Sequence, residues 1–194
     1  VDQYFHKVYT LGEWGVLGNL VFNNYVIEDF QIELEEEFFG MDFGYNHASV
    51  MVAAGLYDGE LYVPKELYVK QKTNTEFATL GEFWDPDYKS HIYTADAAEP
   101  DRIKEFNDRG WCVEPAQKGK DSVKHGIDFL KRYRIHIHKD CPNLANEIQQ
   151  YKYRETRDGQ VLDEPVAIND DCIAALRYAS EYLWRNTTRW RPVA

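Results

Sequence analysis

Phe38-Phe39-Gly40-Met41-Asp42-Phe43-Gly44-Tyr45 sets one carboxylate into an otherwise apolar, strand-forming stretch that breaks at a glycine. Burying an unpaired carboxylate costs several kcal/mol even after relaxation, so Asp42 must find a partner, take up a proton or hold a cation. A second strand-like run, His91-Ile92-Tyr93-Thr94-Ala95, also ends in an acid, Asp96, and the adjacent pair Asp170-Asp171 opens the last amphipathic helix. Acids at the ends of three elements point to a divalent-cation site.

Outward from Asp42, three β-rich runs cover about Glu37 to Gly44, Val50 to Leu56 and Leu61 to Lys70. The last two are joined by Asp58-Gly59, a strong short hairpin signal, so the three form an antiparallel meander. Asn74 to Phe83 has helical spacing with Thr75 as candidate cap, and His91 to Ala95 reads as a short buried strand. The pattern then alternates. A helix from Pro100 to Arg109 has proline in its first turn and Gly110 just past its end. A strand over Trp111 to Pro115, a helix over Ser122 to Tyr133, a strand over Arg134 to His138 and a helix over Pro142 to Gln150 follow. Arg157-Asp158-Gly159 marks a second hairpin, and the last helix runs from about Asp170 to Trp184.

Antiparallel strands followed by alternating helices and strands predict an α/β fold: a ribonuclease H-like mixed sheet with helices on both faces. In that architecture the first strand is central and the fourth lies beside it. Asp42 and Asp96 would then be neighbours whose repulsion a cation resolves. Residues 1–34, aromatic and turn-rich without clean periodicity, read as a lead-in packed on a domain formed by 35–194.

The composition narrows the function. With 33 acidic against 22 basic residues, a net charge of −11 argues against wrapping nucleic acid on a broad basic surface. It does not exclude a nuclease, and Lys118 to Lys139 is locally basic. No run approaches the ~18 apolar residues of a membrane span, and the N-terminus lacks a signal-peptide layout, so the expectation is a soluble, intracellular protein without a membrane partner. Cys112, Cys141 and Cys172 have no disulfide or zinc spacing and read as reduced thiols.

Several segments together carry a family likeness: Gly40-Met41-Asp42-Phe43-Gly44-Tyr45, Tyr93-Thr94-Ala95-Asp96-Ala97-Ala98-Glu99-Pro100, Lys118-Gly119-Lys120-Asp121-Ser122, the strand Tyr133 to His138, and Asn169-Asp170-Asp171 with Ala175 to Ala179. In this order they resemble the C-terminal nuclease domain of the large terminase subunit of tailed bacteriophages. Leu11-Gly12-Glu13-Trp14-Gly15 is similar to the segment leading out of that family's ATPase domain. The resemblance implies a metal-dependent endonuclease that cuts concatemeric double-stranded viral DNA. It also implies a terminase ATPase domain, a small terminase subunit and a portal protein as partners, and a host bacterial cytoplasm as the setting. No GxxxxGK[ST] occurs in the sequence, so this chain reads as a nuclease domain that does not itself translocate DNA.

Asp42 is the central candidate ligand, with Asp96 beside it. Aspartate before a helix is also a common N-cap, and acids in a first helical turn favour the macrodipole, so Asp96, Asp170 and Asp171 each have a structural alternative. Adjacent helical residues point about 100° apart, so the two acids are not expected to bind one ion in the same way. The apolar stripe leaves each at its edge and does not choose between them; Asp171 is favoured as the inward ligand, with Asp170 as an outer-shell or second ligand. The family often carries a further acid three residues on, where this chain has Ala174. Lys118 and Lys120, His47, and Arg154 and Arg157 of the second hairpin are candidate DNA or phosphate contacts. His136 and His138 alternate on a strand and read as surface or DNA-facing.

Oxygen-only ligands suit Mg²⁺ or Mn²⁺, and a pair of ions would serve two-metal hydrolysis, one activating water and the other stabilising the leaving 3′ oxygen. Contacts to backbone phosphates predict cutting with little sequence preference. Two other readings fit the same residues: a non-catalytic module that docks on the portal or grips DNA, and another ribonuclease H-like nuclease such as a Holliday-junction resolvase.

Overall fold

The computed structural model describes residues 19–187. Nine strands are described: β1 (Tyr25–Glu28), β2 (Glu36–Asp42), β3 (Ala48–Tyr57), β4 (Glu60–Lys70), β5 (Ile92–Ala95), β6 (Cys112–Pro115), β7 (Ile135–His138), β8 (Tyr153–Glu155) and β9 (Val161–Pro165). Five helices accompany them: α1 (Asn74–Trp84), α2 (Pro100–Asp108), α3 (Ser122–Leu130), α4 (Pro142–Gln150) and α5 (Asp171–Thr187). Seven strands form one mixed sheet in the order β1-β7-β4-β3-β2-β5-β6, and β8 and β9 form a separate hairpin. The aromatic start of the chain, including the Leu11 to Gly15 motif, lies outside the described residues.

The antiparallel meander β2-β3-β4 forms as expected, with Asp58 and Gly59 at φ 49° and 74°, the left-handed pair that a tight hairpin turn requires. The register between β3 and β4 slips between Ala53 and Gly55, where β4 carries Pro64. A proline has no N–H to give a central ladder, and the irregularity removes the need for one. β5 lies parallel to β2, which puts the first strand of the meander inside the sheet, next to the central β3, with the fourth-strand element beside it.

Both faces of the sheet are covered, so β3 is buried along Ala48 to Ala54 instead of alternating. One face packs Phe38, Val50, Val52, Leu61, Ile135 and Ile137 against residues of α3, α4 and α5. The other packs Phe39, Met41, Met51 and Tyr93 against Phe77 of α1 and Phe106 of α2. The pleat therefore sends Phe38, Gly40 and Asp42 toward α5, and Phe39 and Met41 away from it.

Two local expectations are corrected, and the lead-in gains a strand. The cap of α1 is Thr73, not Thr75: Thr73 accepts from the Glu76 N–H while Glu76 reaches back to the Thr73 N–H, a reciprocal capping box. Thr75 instead faces Glu105 of α2. Within the lead-in, Tyr25–Glu28 forms β1, a parallel edge strand on β7. His136 is buried at 7% exposure, not at the surface, its Nδ1 2.5 Å from Glu28 Oε1 and its Nε2 2.6 Å from Glu60 Oε2, so it ties β1, β7 and β4 together.

At the end of the sheet away from Asp42, buried Asp85 accepts hydrogen bonds from the Tyr93 hydroxyl and from His91 Nδ1 at 2.7 Å. Burial pushes the Asp85 carboxyl up, but these two bonds pull it down further, leaving it below its ordinary value. Asp85→Ala leaves the Tyr93 hydroxyl buried without an acceptor and should cost about 3 kcal/mol in urea unfolding at pH 7. A depressed carboxyl stabilises the fold above about pH 4 and loses that contribution as pH falls through its folded value. The gap between wild type and variant should therefore narrow in acid; a gap constant from pH 7 to pH 3 would contradict the assignment.

Candidate active site

β2 ends at Asp42, β5 ends one residue before Asp96, and α5 begins at Asp171. The neighbouring strands and the helix thus deliver their acids to one end of the sheet. What brings α5 down onto β2 is Gly40. A β-carbon there would lie 1.9 Å from the Ala175 carbonyl oxygen and 2.6 Å from the Ala179 backbone nitrogen. The helix meets this strand backbone to backbone, with fully buried Ala175 and Ala179 as its small-residue face. The two run in opposite directions, since the Phe38 ring stacks on Tyr182 at the far end.

Asp42 lies two strand residues past Gly40, roughly 6.6 Å along the strand. Asp171 lies one turn before Ala175, about 6 Å along the helix. The two steps match and bring Asp171 to Asp42, whereas Asp170 is turned off that line. The electrostatics agree. Burial and then the charges of Asp171, Asp96 and Asp170 push the Asp42 carboxyl up to about 7, with Arg177 opposing them, and Asp171 is the largest of the charged neighbours.

The capping alternative for the α5 acids is answered by a third residue. Glu147 of α4 accepts from the backbone N–H groups of Cys172 at 2.8 Å and Ile173 at 3.1 Å. It takes the amides that Asp170 or Asp171 would otherwise bind, and burial pushes its own carboxyl up to about 8 against those bonds. Asp170 is engaged by the Tyr151 side chain and by the charge of Arg177, while burial raises its carboxyl. Asn169, at φ 50°, supplies the left-handed turn that swings the chain into α5. Asp96 does make a local bond, accepting from the Ala98 N–H at 2.9 Å, and its other neighbour is Lys118, whose Nζ lies 3.7 Å away.

The remaining candidates scatter. Lys118 joins Asp96, Gly119, Arg177 and Tyr178 in lining a pocket of about 450 Å³. His47 is exposed on the turn after β2, held in shape by Ser49, whose hydroxyl donates to the Gly44 carbonyl at 2.6 Å. Lys120 is exposed in the loop before α3. Arg154 pairs with Glu164 across the hairpin at 3.4 Å, and Arg157 is exposed near its tip.

Sequence reasoning missed Arg177, Glu147 and Tyr151. Arg177 had a legible signal, since it follows Asp170 by seven residues, two turns on the same helix face. Glu147 and Tyr151 had none, because their partners lie 25 and 26 residues away in the first turn of α5 for Glu147, and just before that helix, at Asp170, for Tyr151.

The acids offer oxygen donors only, and a half-buried carboxylate with three others as charged neighbours is an arrangement that a hard divalent cation relieves. The donor chemistry fits Mg²⁺ or Mn²⁺. No three His, Cys, Asp or Glu side chains among the described residues stand in ion-holding geometry. The acids gather at one place, then, without forming a closed cage.

The sheet order, the helices on both faces and the parallel β2-β5 pair define a ribonuclease H-like domain. More narrowly, the chain belongs to the family described as Terminase RNAseH like domain, whose model matches residues 42–181. It is 28% identical over 145 residues to the PBSX phage terminase large subunit of Bacillus subtilis (strain 168), covering 72% of this chain and 33% of that protein. It is likewise 28% identical over 152 residues to the large terminase subunit of Bacillus phage SPP1, covering 73% and 35%. The chain thus spans about a third of the length of the curated relatives it matches. The crystal structure of the large terminase nuclease domain from bacteriophage SPP1 with bound Mn superposes with a TM-score of 0.74 at 25% identity, covering 83% of this chain and 97% of that one. This chain is homologous to large terminase nuclease domains, and no helix among its described residues is long and apolar enough to cross a membrane.

Proposed function

We propose that this chain is a divalent-metal-dependent endodeoxyribonuclease of a phage DNA-packaging motor, cutting concatemeric double-stranded DNA with little sequence preference. The observation that carries the reading is the delivery of Asp42, Asp96, Asp170 and Asp171 to one end of the sheet, where the half-buried Asp42 carboxyl is pushed up to about 7 by desolvation and by the charges of the other three. Asp42, Asp96 and Asp171 would hold Mg²⁺ or Mn²⁺, with Asp170 as the outer acid. Bound there, the ions supply an activated water and charge stabilisation for the leaving 3′ oxygen.

The chain's own cations act on the phosphate. Arg177 and Lys118 line the pocket beside Asp96 and are placed to neutralise charge that develops on the non-bridging oxygens. Tyr151 holds Asp170 in place, and Glu147 holds the first turn of α5. A terminase ATPase domain, a small terminase subunit and a portal protein would be its partners in a host bacterial cytoplasm, with residues 1–34 as the lead-in from the ATPase domain.

Supercoiled plasmid incubated with the purified chain in Mn²⁺, Mg²⁺ or EDTA tests the reading. Metal-dependent nicking and linearisation are expected. The open spacing of the acids would suit a non-catalytic docking module instead, and a folded protein that cuts with neither metal would favour that reading.

Arg177→Ala separates phosphate chemistry from metal holding. Removing a cation next to four acids should leave Mn²⁺ affinity by calorimetry unchanged or tighter, while kcat for plasmid cleavage falls about 10²-fold. Weakened metal binding together with lost cleavage would make Arg177 a structural support.

A further inference from the structure

On the side of the acids away from Asp96, a groove of about 500 Å³ runs between β4, α4 and the chain entering α5, lined among others by Tyr68, Lys70, Asn146, Gln150, Lys152 and Asn169. We propose that this groove is a subsite for the DNA sugar-phosphate backbone, with Lys70 and Lys152 contacting phosphates a few nucleotides from the bond to be cut. The proposal rests on the nuclease reading above and adds residues that reading does not use.

Position is the first argument. Asp42 pairs with Val50 on β3, and Val50 pairs with Tyr68 on β4, so the three share one rung and one face of the sheet. Two strand spacings put the groove roughly 10 Å from the acid. At about 3.4 Å of helix axis per phosphate on one strand, that is about three nucleotides. Tyr151, which engages Asp170, lines the groove as well, so its wall is continuous with the acid cluster. The pocket holding Lys118 and Arg177 lies on the Asp96 side. The acids thus sit between two depressions, each with its own cations, as a track for one strand requires.

Charge is the second. The chain carries a net charge of −11, and five of its eleven described lysines, Lys72, Lys104, Lys118, Lys124 and Lys139, are in ion pairs. Lys70 and Lys152 are exposed and, like Lys65, Lys89, Lys120 and Lys131, stand in no ion pair among the described residues, and they are the two of this set that line the groove; Lys70 Nζ lies 5.5 Å from the centre of the Tyr68 ring. The one carboxylate lining the groove, Glu147, is turned onto the backbone amides of α5. Asn146, Gln150 and Asn169 add side-chain amides, donors of the kind that position phosphates without reading sequence.

The test is the salt dependence of binding to a fluorescent DNA duplex, measured by anisotropy in EDTA, so that neither metal nor cleavage enters. Lys70→Ala with Lys152→Ala should lower the slope of log K against log salt by about 2, since each phosphate contact contributes about 0.9. Affinity at low salt should fall about 10-fold or more. Arginine at both positions should restore slope and affinity. Lys104→Ala with Lys139→Ala, which removes the same charge elsewhere, should change the slope by less than half as much. In cleavage assays the groove variant should raise KM with kcat within threefold of wild type, and Mn²⁺ affinity should not move. An unchanged slope and affinity in the groove variant, or an equal loss in the Lys104/Lys139 control, would overturn the proposal. Failure of the nuclease reading is seen separately, as cleavage that survives Asp42→Asn.

Discussion

Asp42→Asn should abolish plasmid cleavage in both Mn²⁺ and Mg²⁺, a loss of at least about 10³-fold in rate, while the protein remains folded. The substitution keeps the shape of the side chain and removes its charge. Asp42 has Asp171 and Asp96 as its leading acidic neighbours, so on the proposed reading one change removes the carboxylate that would hold metal together with each of them. Metal ions supply several kcal/mol of charge stabilisation in such chemistry, and each 1.36 kcal/mol is a factor of ten. Asp96→Asn and Asp171→Asn should follow in the same direction; Asp170→Asn should cost less, because Asp170 is turned toward Tyr151 and Arg177. Full cleavage by the Asp42 variant would sink the assignment.

The same variant carries an opposite expectation for stability. A carboxyl raised from an ordinary value near 4 to about 7 is destabilised as an ion by the fold. In EDTA its ionisation therefore costs stability increasingly as pH rises from about 4 through 7. At pH 8 Asp42→Asn should be more stable than wild type by roughly 1–3 kcal/mol, with the difference shrinking toward pH 4. Mn²⁺ should reverse the order, stabilising wild type and not the variant. A variant that is inactive and also destabilised in EDTA would mean that Asp42 serves the fold, and its loss of activity would then carry no information about metal. Urea titrations with and without Mn²⁺ separate these outcomes.

Much of this was legible in the chain because the signals were local. Asp58-Gly59 named its hairpin, Pro100 and Gly110 bounded their helix, and the interrupted apolar run placed Asp42 on a strand. What failed depended on distant partners. β1 is four residues long and pairs with a strand more than 100 residues further on, so nothing near Tyr25 announces it. His136 alternates with His138 as a surface pair would. Its burial comes from Glu28 and Glu60, which only the sheet order brings to it. The Thr73 cap was masked by Thr75 because both are threonines near the helix start. The Thr73–Glu76 spacing of three was the discriminating signal.

The site was legible in its acids and not in its supports. Asp170 against Asp171 could not be decided from the helix alone, because the apolar stripe leaves both at its edge. The deciding residue is on another element: a glycine inside a strand marks close approach by another backbone, and Gly40 had that meaning in the sequence itself. Combined with Ala175 and Ala179, it sets the rotation of α5 on β2 and hence which acid meets Asp42.

Gly40→Ala should accordingly act on both stability and chemistry, although it adds only one methyl group, two residues from Asp42. The new carbon would stand 1.9 Å from a carbonyl oxygen and 2.6 Å from a backbone nitrogen of α5. No side-chain rotation relieves a contact with backbone, so the helix must move off the strand by about 1 Å or more. Overpacking of this kind costs about 1–3 kcal/mol and at times more; here about 3 kcal/mol is expected in urea. The displaced helix carries Asp171 with it, and a misplacement of about 1 Å in a catalytic constellation can cost about 10²-fold in rate. Mn²⁺ affinity should weaken in parallel, which a general loss of stability would not cause in the fraction that remains folded. Gly119→Ala, in the loop beside the same site, is the control: nothing lies within 4 Å of its added carbon, and cleavage and stability should be near wild type. Ala175→Gly should not rescue Gly40→Ala, because the clash is with the Ala175 carbonyl and not with its methyl. A Gly40→Ala protein with wild-type Mn²⁺ affinity and cleavage would show that the distance between α5 and β2 does not set the geometry of the acids.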